Sequence, residues 1–352
     1  MFVRDCWYVA AWDHELSADK PIGRTLLGEA VVIYRAASGG LVAMADRCCH
    51  RFAPLSLGRI EGDELRCMYH GLRFDRTGRC TEIPGQEMIP ATACVRAYPV
   101  VEKHSWIWVW MGDPKKADEG LIPPAVGLAD PAWTLRSGQM DYEANYLLIN
   151  DNLTDFTHLS YVHAKSFGAT EAFARTRPTV ERLDRGVRIW RWMTSEYTAE
   201  SASRVHRRAQ GDGWQTYDFL APGVLLMLTA TYPEGTAERF GHMPPEPGVV
   251  EPLAENFTSQ AVTPITDKTS RYFFSWGPRS GEGADAVADS MLELAHMAFS
   301  EDKAIIEAQQ RSIGLAPGQK EVLTSADVGP VQMRAVLQRL IREEGSAAVV
   351  AA

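Results

Sequence analysis

The 352 residues carry 36 Lys and Arg against 45 Asp and Glu, a net charge of -9, and no basic block; nucleic acids and other polyanions need a basic footprint, so they are excluded as partners. No apolar run reaches the length of about 18 residues that spans a bilayer, and the opening MFVRDCWYVAAWDHEL lacks the apolar core of a signal peptide, so no membrane association and a cytoplasmic location are expected. Six Cys are too few for a disulfide scaffold, and Cys clustered in such a chain suggest metal or redox chemistry.

The first 110 or so residues read as strands and turns. EAVVIYRAASGGLVAMAD is two apolar runs around Ser38-Gly39-Gly40, a hairpin signal, and Arg76-Thr77-Gly78 marks a second turn. In SWIWVWMGDP, Trp106, Trp108 and Trp110 fall on one face and Ile107 and Val109 on the other, the pattern of a strand buried on both sides. The charged, Pro-containing PKKADEGLIPP is the expected domain boundary, which gives domains at 1–115 and 116–345 and a tail at 346–352. NYLLINDNLTDFTHLSYVHA reads as mostly helical. GVRIWRWMTSEY, GVLLMLTATY, FTSQAVTPI and SRYFFSWG read as strands of a second sheet. DAVADSMLELAHMAFSEDKAIIEAQQRSIG is a long helix ending near Gly314, with Asp285 or Asp289 as its cap. SADVGPVQMRAVLQRLIREEG is a last amphipathic helix, and SAAVVAA is too featureless to assign.

Two constellations carry chemistry. The first is Cys48-x-His50, then Cys67-x-x-His70. Two Cys and two His make a tetrahedral zinc set, but zinc motifs usually group the cysteines apart from the histidines. A Rieske 2Fe–2S cluster has two thiolates on one iron and two imidazoles on the other, so each loop must offer one of each, as here. Cys49 lies between two ligands as a bystander, and Cys6, Cys80 and Cys94 have no evident partner. The second constellation is Asn152, Asp155, His158 and His163. His158 and His163 are five residues apart, about 140° of rotation on an unbroken helix, so they meet one metal only if the helix ends or kinks between them. Two His with a distant carboxylate form the facial triad of non-haem Fe(II) sites.

CCHR…CMYHG and Asp155-x-x-His158-x-x-x-x-His163 together resemble the Rieske non-haem iron oxygenases. The Leu72 after His-Gly is similar to the vanillate O-demethylase and dicamba monooxygenase group, and the likeness extends over nearly the whole chain. Cys49 stands where the familiar motif has Pro, which places an exposed thiol beside the cluster. The resemblance implies an α+β protein, with an all-β Rieske domain before a helix-grip catalytic domain of antiparallel sheet covered by helices. It implies a 2Fe–2S cluster on Cys48, His50, Cys67 and His70, and mononuclear Fe(II) on His158, His163 and Asp302. The resemblance aligns Asp302 rather than its neighbour Glu301, and since adjacent helical positions point about 100° apart, only one of the two can serve. Asp155 would bridge the two metal centres by holding a ligand His at its second ring nitrogen, with Asn152 close to the iron. The resemblance also implies a separate flavin and iron–sulfur reductase supplying electrons from NADH, O2 as co-substrate and a homotrimer whose relay crosses a subunit boundary.

The implied activity is O-demethylation of a methoxylated aromatic acid such as vanillate, giving a phenol and formaldehyde. The same iron sites would serve hydroxylation of an aromatic methyl group, N-demethylation or ring cis-dihydroxylation. A Rieske electron-transfer protein without oxygenase activity would hold no second iron, and a zinc-stabilised binding module would be colourless. Pocket candidates for the small aromatic substrate are Leu226, Met227, Phe274, Trp276, His296 and Phe299, each of a type that also serves as core. Arg191 is a candidate cation for an aromatic carboxylate, against the alternative of a surface or interface salt bridge.

Overall fold

A computed structural model describes residues 1–167, 171–194 and 211–350. They form two compact units, Met1–Ile122 with Thr263–Asp267, and Pro123–Val262 with Lys268–Val350. The first break falls inside the segment 114–124, which forms two 3-10 turns, Pro114–Lys116 and Glu119–Leu121. Asp113 and Asp118 open these turns, each carboxylate accepting from the backbone N–H two residues on.

The first unit is built of short strands: β1 (Trp7–Trp12), β2 (Ile22–Leu26), β3 (Glu29–Arg35), β4 (Leu41–Ala45), β5 (Arg59–Glu61), β6 (Glu64–Arg66), β7 (Arg73–Phe74), β8 (Cys80–Glu82), β9 (Ala97–Tyr98), β10 (Val100–Lys103) and β11 (Trp106–Trp110). They pair as three antiparallel sheets, β1–β11–β10, β2–β3–β4–β9 and β5–β6–β7–β8. All five residues of β11 are buried, so its alternation has no polar side. Trp7 and Trp12 of β1 pack on Trp110 and Trp106 at 5.5 and 5.3 Å. The hairpin β3–β4 closes through Ala36 N–H to Gly40 O at 2.9 Å.

The second unit holds one seven-stranded antiparallel sheet of β12 (Arg136–Tyr142), β13 (Thr179–Leu183), β14 (Gly186–Met193), β15 (Asp212–Leu220), β16 (Val224–Tyr232), β17 (Ala254–Pro264) and β18 (Ser270–Pro278), in the order β12–β18–β17–β16–β15–β14–β13. Its helices are α1 (Tyr146–Thr154), α2 (Glu171–Arg175), α3 (Thr236–Arg239), α4 (Ala284–Leu315) and α5 (Val328–Val350). Residues 195–197, the end of one predicted strand, lie outside the described residues.

Helix α4 has 32 residues, about 48 Å at about 1.5 Å per residue. Its buried residues are Ala284, Ala288, Met291, Ala295, Ala298, Asp302 and Ile306, a stripe at intervals of three and four. It packs on β18, where Tyr272 and Phe274 meet Phe299 at 5.1 and 4.8 Å between ring centroids. Gly138 of β12 faces Phe274, and a Cβ there would lie 2.4 Å from that ring, so glycine makes room for it.

Two helix ends differ from expectation. Gly283, at φ 77, precedes α4 with no side-chain cap; the helix starts at Ala284, so Asp285 and Asp289 lie inside it, where both pair with Arg136. Residues 346–350 are not a tail but continue α5, since Ala and Val follow without the proline that would stop a helix.

Candidate metal centres

The two Cys-His loops are built alike. Cys48 follows β4 and Cys67 follows β6. Cys48 N–H donates to Ala53 O and Phe52 N–H to Cys48 O; Cys67 N–H donates to Leu72 O and Gly71 N–H to Cys67 O. In each loop the fourth residue after the Cys is left-handed, Phe52 at φ 60 and Gly71 at φ 78. Gly71 has a second constraint, because a Cβ would lie 2.8 Å from Pro84 Cγ. Arg66 braces the second loop, donating to Gly71 O at 2.7 Å while gripping Glu61 and Glu82.

This twinned backbone buries both sulfurs and leaves both imidazoles exposed, with the His50 and His70 rings 4.6 Å apart. The donor set fits a Rieske cluster. Burial, with the Cys67 thiol beside it, pushes the Cys48 thiol up to about 12, so this sulfur ionises only against a cation such as cluster iron. Cys49 is half-buried rather than exposed. Burial raises its thiol too, and Cys94 is the exposed cysteine.

In the second unit the helix breaks where the spacing required. Helix α1 stops at Thr154, Asp155 is extended at φ -135 and ψ 105, and residues Phe156–Ser160 restart as a 3-10 turn. The Asp155 carboxylate caps that turn, accepting from Thr157 N–H at 2.8 Å. The break brings His158, His163 and Asp302 together, with one donor atom from each lying within 4.8 Å of the others. His163 Nε2 is 3.1 Å from both Asp302 oxygens, and His158 Nε2 is 3.5 Å from Asp302 Oδ1. Metal bonds of about 2.1 Å in an octahedral frame set neighbouring donors about 3 Å apart. Asp302 therefore fits a position adjacent to each histidine around one ion. Asn152 Nδ2 donates to Asp302 Oδ1 at 3.0 Å and lies 3.3 Å from His158 Nε2.

The outer ring nitrogens are both tied. His158 Nδ1 is 2.6 Å from the Asp155 carbonyl, which can only accept, so Nδ1 carries the proton and Nε2 presents its lone pair. Within one chain it is thus the Asp155 carbonyl, and not its carboxylate, that holds this nitrogen. His163 Nδ1 is 2.9 Å from Glu301 Oε2, which also accepts from Ser166 Oγ at 2.6 Å. The Glu301–Asp302 pair thus wraps His163 on both sides. Sequence reasoning weighed Glu301 only as a rival to Asp302 and missed this role. Burial lowers the His158 pKa despite the opposing Asp302 charge. Burial also acts to lower His163, but Asp302 and Glu301 outweigh it and hold that imidazolium above its usual range.

Residues 6–99 match the Rieske [2Fe-2S] domain and residues 142–343 match the vanillate O-demethylase oxygenase C-terminal domain. The chain belongs to the Rieske non-haem iron oxygenases. It is 40% identical over 353 residues to a toluene-4-sulfonate monooxygenase system iron-sulfur subunit of Comamonas testosteroni, with 98% of each chain covered. It is 34% identical over 352 residues to the dicamba O-demethylase oxygenase component of Stenotrophomonas maltophilia, covering 98% of this chain and 99% of that one. The crystal structure of dicamba monooxygenase bound to dicamba superposes with a TM-score of 0.85 at 33% identity, over 98% of this chain and 99% of that one. This is a Rieske monooxygenase component, and no described helix is long and apolar enough to cross a membrane.

The sheet of this Rieske oxygenase has two unlike faces. Register places Arg191, Gln215, Thr229 and Asn256 opposite one another on β14 to β17, and Ile189, Tyr217, Met227 and Thr258 in the next row of the same face. The metal-ligand segment covers this face: the Phe156 ring lies 4.4 Å from Tyr217, and Phe167 sits between His163 at 5.0 Å and Trp276 at 6.1 Å. Trp276 Nε1 and Thr229 Oγ1 both donate to Asn256 Oδ1, at 2.8 and 2.6 Å. Met227 and Trp276 are therefore placed toward the metal ligands.

The other pocket candidates are not placed so. Leu226 alternates to the opposite face and lines a separate cavity of about 640 Å³ with Trp190, Trp214, Phe257 and Arg279. Phe274 is fully buried, and Phe299 packs on it between helix and sheet. His296 is exposed, since it sits one residue, about 100°, from the stripe residue Ala295. Arg191 is not at the surface: it is 3% exposed and makes no ion pair among the described residues.

Proposed function

We propose that this chain is the terminal oxygenase of a two-part monooxygenase that hydroxylates a methyl carbon on an anionic arene. O2 is co-substrate, and a separate flavin and iron–sulfur reductase supplies electrons from NADH. The observation that carries the reading is the His158–His163–Asp302 set at a broken helix, in a chain that also carries two matched Cys-His loops. On a methoxylated aromatic acid of the vanillate type, ArOCH3, O2, NADH and a proton give ArOH, formaldehyde, water and NAD+. On a ring methyl, ArCH3 with the same reagents gives ArCH2OH, water and NAD+. The relatives, a toluene-4-sulfonate monooxygenase subunit and a dicamba O-demethylase component, support one branch each.

Cys48, His50, Cys67 and His70 would hold the cluster, and His158, His163 and Asp302 the Fe(II). Bound there, the two groups supply one-electron transfer and O2 reduction, which the protein's own side chains do not perform. The chain's contribution is positioning. Asp155 O and Glu301 fix both imidazoles as Nδ1–H tautomers, so that each Nε2 faces inward. Asn152 Nδ2 donates to Asp302 Oδ1, which leaves Oδ2 facing the same space as the Nε2 of His163. Phe156, Phe167 and Trp276 wall the site and exclude bulk water, which favours substrate oxidation over peroxide release.

The relay between centres is proposed to cross from one copy to another in a homotrimer, with His70 of one copy meeting Asp155 of the next. The exposed histidines sit among exposed Phe52, Leu57, Met68 and Tyr69, an apolar collar suited to burial against a second copy. The testing experiment combines the holoenzyme, a Rieske-type reductase and NADH with methoxybenzoates, methylbenzoates and toluenesulfonates, following O2, formaldehyde, benzylic alcohol and peroxide. Formaldehyde or benzylic alcohol matching O2 consumed supports the reading. A cis-diol, or an N-methyl compound as the only substrate turned over, overturns it.

A further inference from the structure

Arg191 lies on the sheet face that the metal-ligand segment covers, beneath α2. Its Nε donates to Gln215 Oε1 at 3.0 Å, and one terminal nitrogen donates to the carbonyls of Phe173 at 3.2 Å and Thr176 at 3.4 Å. Its guanidinium carbon lies 4.3 Å from the Phe173 ring centroid. The other terminal nitrogen, Nη2, is buried and meets no hydrogen-bond partner among the described residues. A buried guanidinium with neutral partners and an unused donor is costly to maintain. The charged or titratable groups that reach it are Tyr217 and Asp155, and the Asp155 carboxylate is engaged at Thr157 N–H.

Resting on the reading of this site as a methyl-hydroxylating oxygenase, we propose that Arg191, held by Gln215, is the anchor for the anionic head of the substrate, an aryl sulfonate or carboxylate. The unused N–H points to an acceptor that arrives with the ligand, and the positive charge makes that acceptor an anion. The row on this face grades from Arg191 and Gln215 at one end to Thr229, Asn256 and Trp276 at the other. Four strand spacings of about 4.8 Å, about 19 Å in all, separate β14, which carries Arg191, from β18, which carries Trp276. The anionic head meets Arg191, and the methyl group is directed toward His158, His163 and Asp302.

Binding, which needs no turnover, tests the anchor apart from the reaction. Holoenzyme is titrated calorimetrically with benzenesulfonate and benzoate, and with neutral benzenesulfonamide and benzamide. Wild type binds one or both anions more tightly than the amides, and which anion is tighter names the head group. Arg191→Met weakens the anions 10- to 100-fold, the size of one or two charge-assisted hydrogen bonds, and leaves the amides within about twofold. Unchanged anion binding, or equal loss of anions and amides, overturns the proposal. If Arg191→Met does not fold, Arg191→Lys and Gln215→Leu are measured instead. Both weaken anions selectively if Arg191 is the anchor, and a loss shared by the amides overturns it. An arene that binds through Arg191 but yields neither formaldehyde nor alcohol contradicts the reaction and leaves the anchor standing.

Discussion

Glu301 provides a strict test of the metal-centre geometry, because it can be changed without touching a ligand. In Glu301→Gln the side chain keeps its shape but offers His163 Nδ1 a neutral acceptor in place of a carboxylate at 2.9 Å. Charge-assisted hydrogen bonds contribute about 1.5–3 kcal/mol and neutral ones about 0.5–1.5 kcal/mol, a difference of about 1–1.5 kcal/mol. Loss of a carboxylate behind a metal-bound histidine typically lowers metal affinity about 10- to 100-fold. The Glu301 side chain is 28% exposed, and solvent screening sets the expectation at the lower end, about tenfold. Ferrous iron affinity would be measured by chelator competition on protein that retains its 2Fe–2S absorbance, the cluster serving as internal control. Affinity within twofold of wild type would refute the orienting role. A loss as complete as that of Asp302→Ala would show that Glu301 is itself a ligand.

Asp155→Asn should retain both metals, because its amide oxygen can still accept from Thr157 N–H, while steady-state turnover falls at least 100-fold; metal analysis beside O2 uptake checks both halves. Gly71→Ala combines a left-handed φ of 78 with a Cβ 2.8 Å from Pro84, so it should cost about 1–2 kcal/mol or more and lower cluster content as read by absorbance. Arg66 holds Glu61 and Glu82 below their ordinary value of 4.5 through direct hydrogen bonds. Their folded pKa values lie below the unfolded ones, so this stabilisation is present above pH 4.5 and is lost as pH falls through the depressed values. The melting temperature of the cluster domain should therefore be lower in Arg66→Met than in wild type at pH 7, and the gap should narrow below pH 4.5. A constant gap across that range would mean that Arg66 acts through Gly71 alone.

The sites were legible in the sequence wherever a short stretch supplies all the geometry. Each Cys-His loop closes on itself within six residues by the same pair of backbone hydrogen bonds, so its ligand spacing is written locally. The broken helix could be inferred because five residues of unbroken helix would part His158 from His163. Roles that depend on another element were not legible. Glu301 meets a histidine 138 positions away. Arg191 reads as an ordinary strand cation until α2 brings the carbonyls of Phe173 and Thr176 over it. Asp285 and Asp289 look like caps, but the helix starts at Ala284 and both pair with Arg136 of β12.

Asp302 lies between these cases. From its immediate neighbours it is a Glu-Asp pair on a polar turn, where either carboxylate suits solvent. Over the whole helix the choice is decided. Ala284, Ala288, Met291, Ala295, Ala298 and Ile306 recur at intervals that keep them on one stripe, and position 302 is the next step of that stripe. An aspartate in a slot that otherwise takes Ala, Met or Ile must be buried, and it is 5% exposed. A buried carboxylate has to be paired or to ligate a metal, and the facing segment offers two imidazole nitrogens and an amide. The same periodicity turns Glu301 about 100° aside, far enough to leave the stripe yet close enough to reach the outer nitrogen of His163. One helical step thus separates the carboxylate suited to hold the metal from the one suited to hold its ligand.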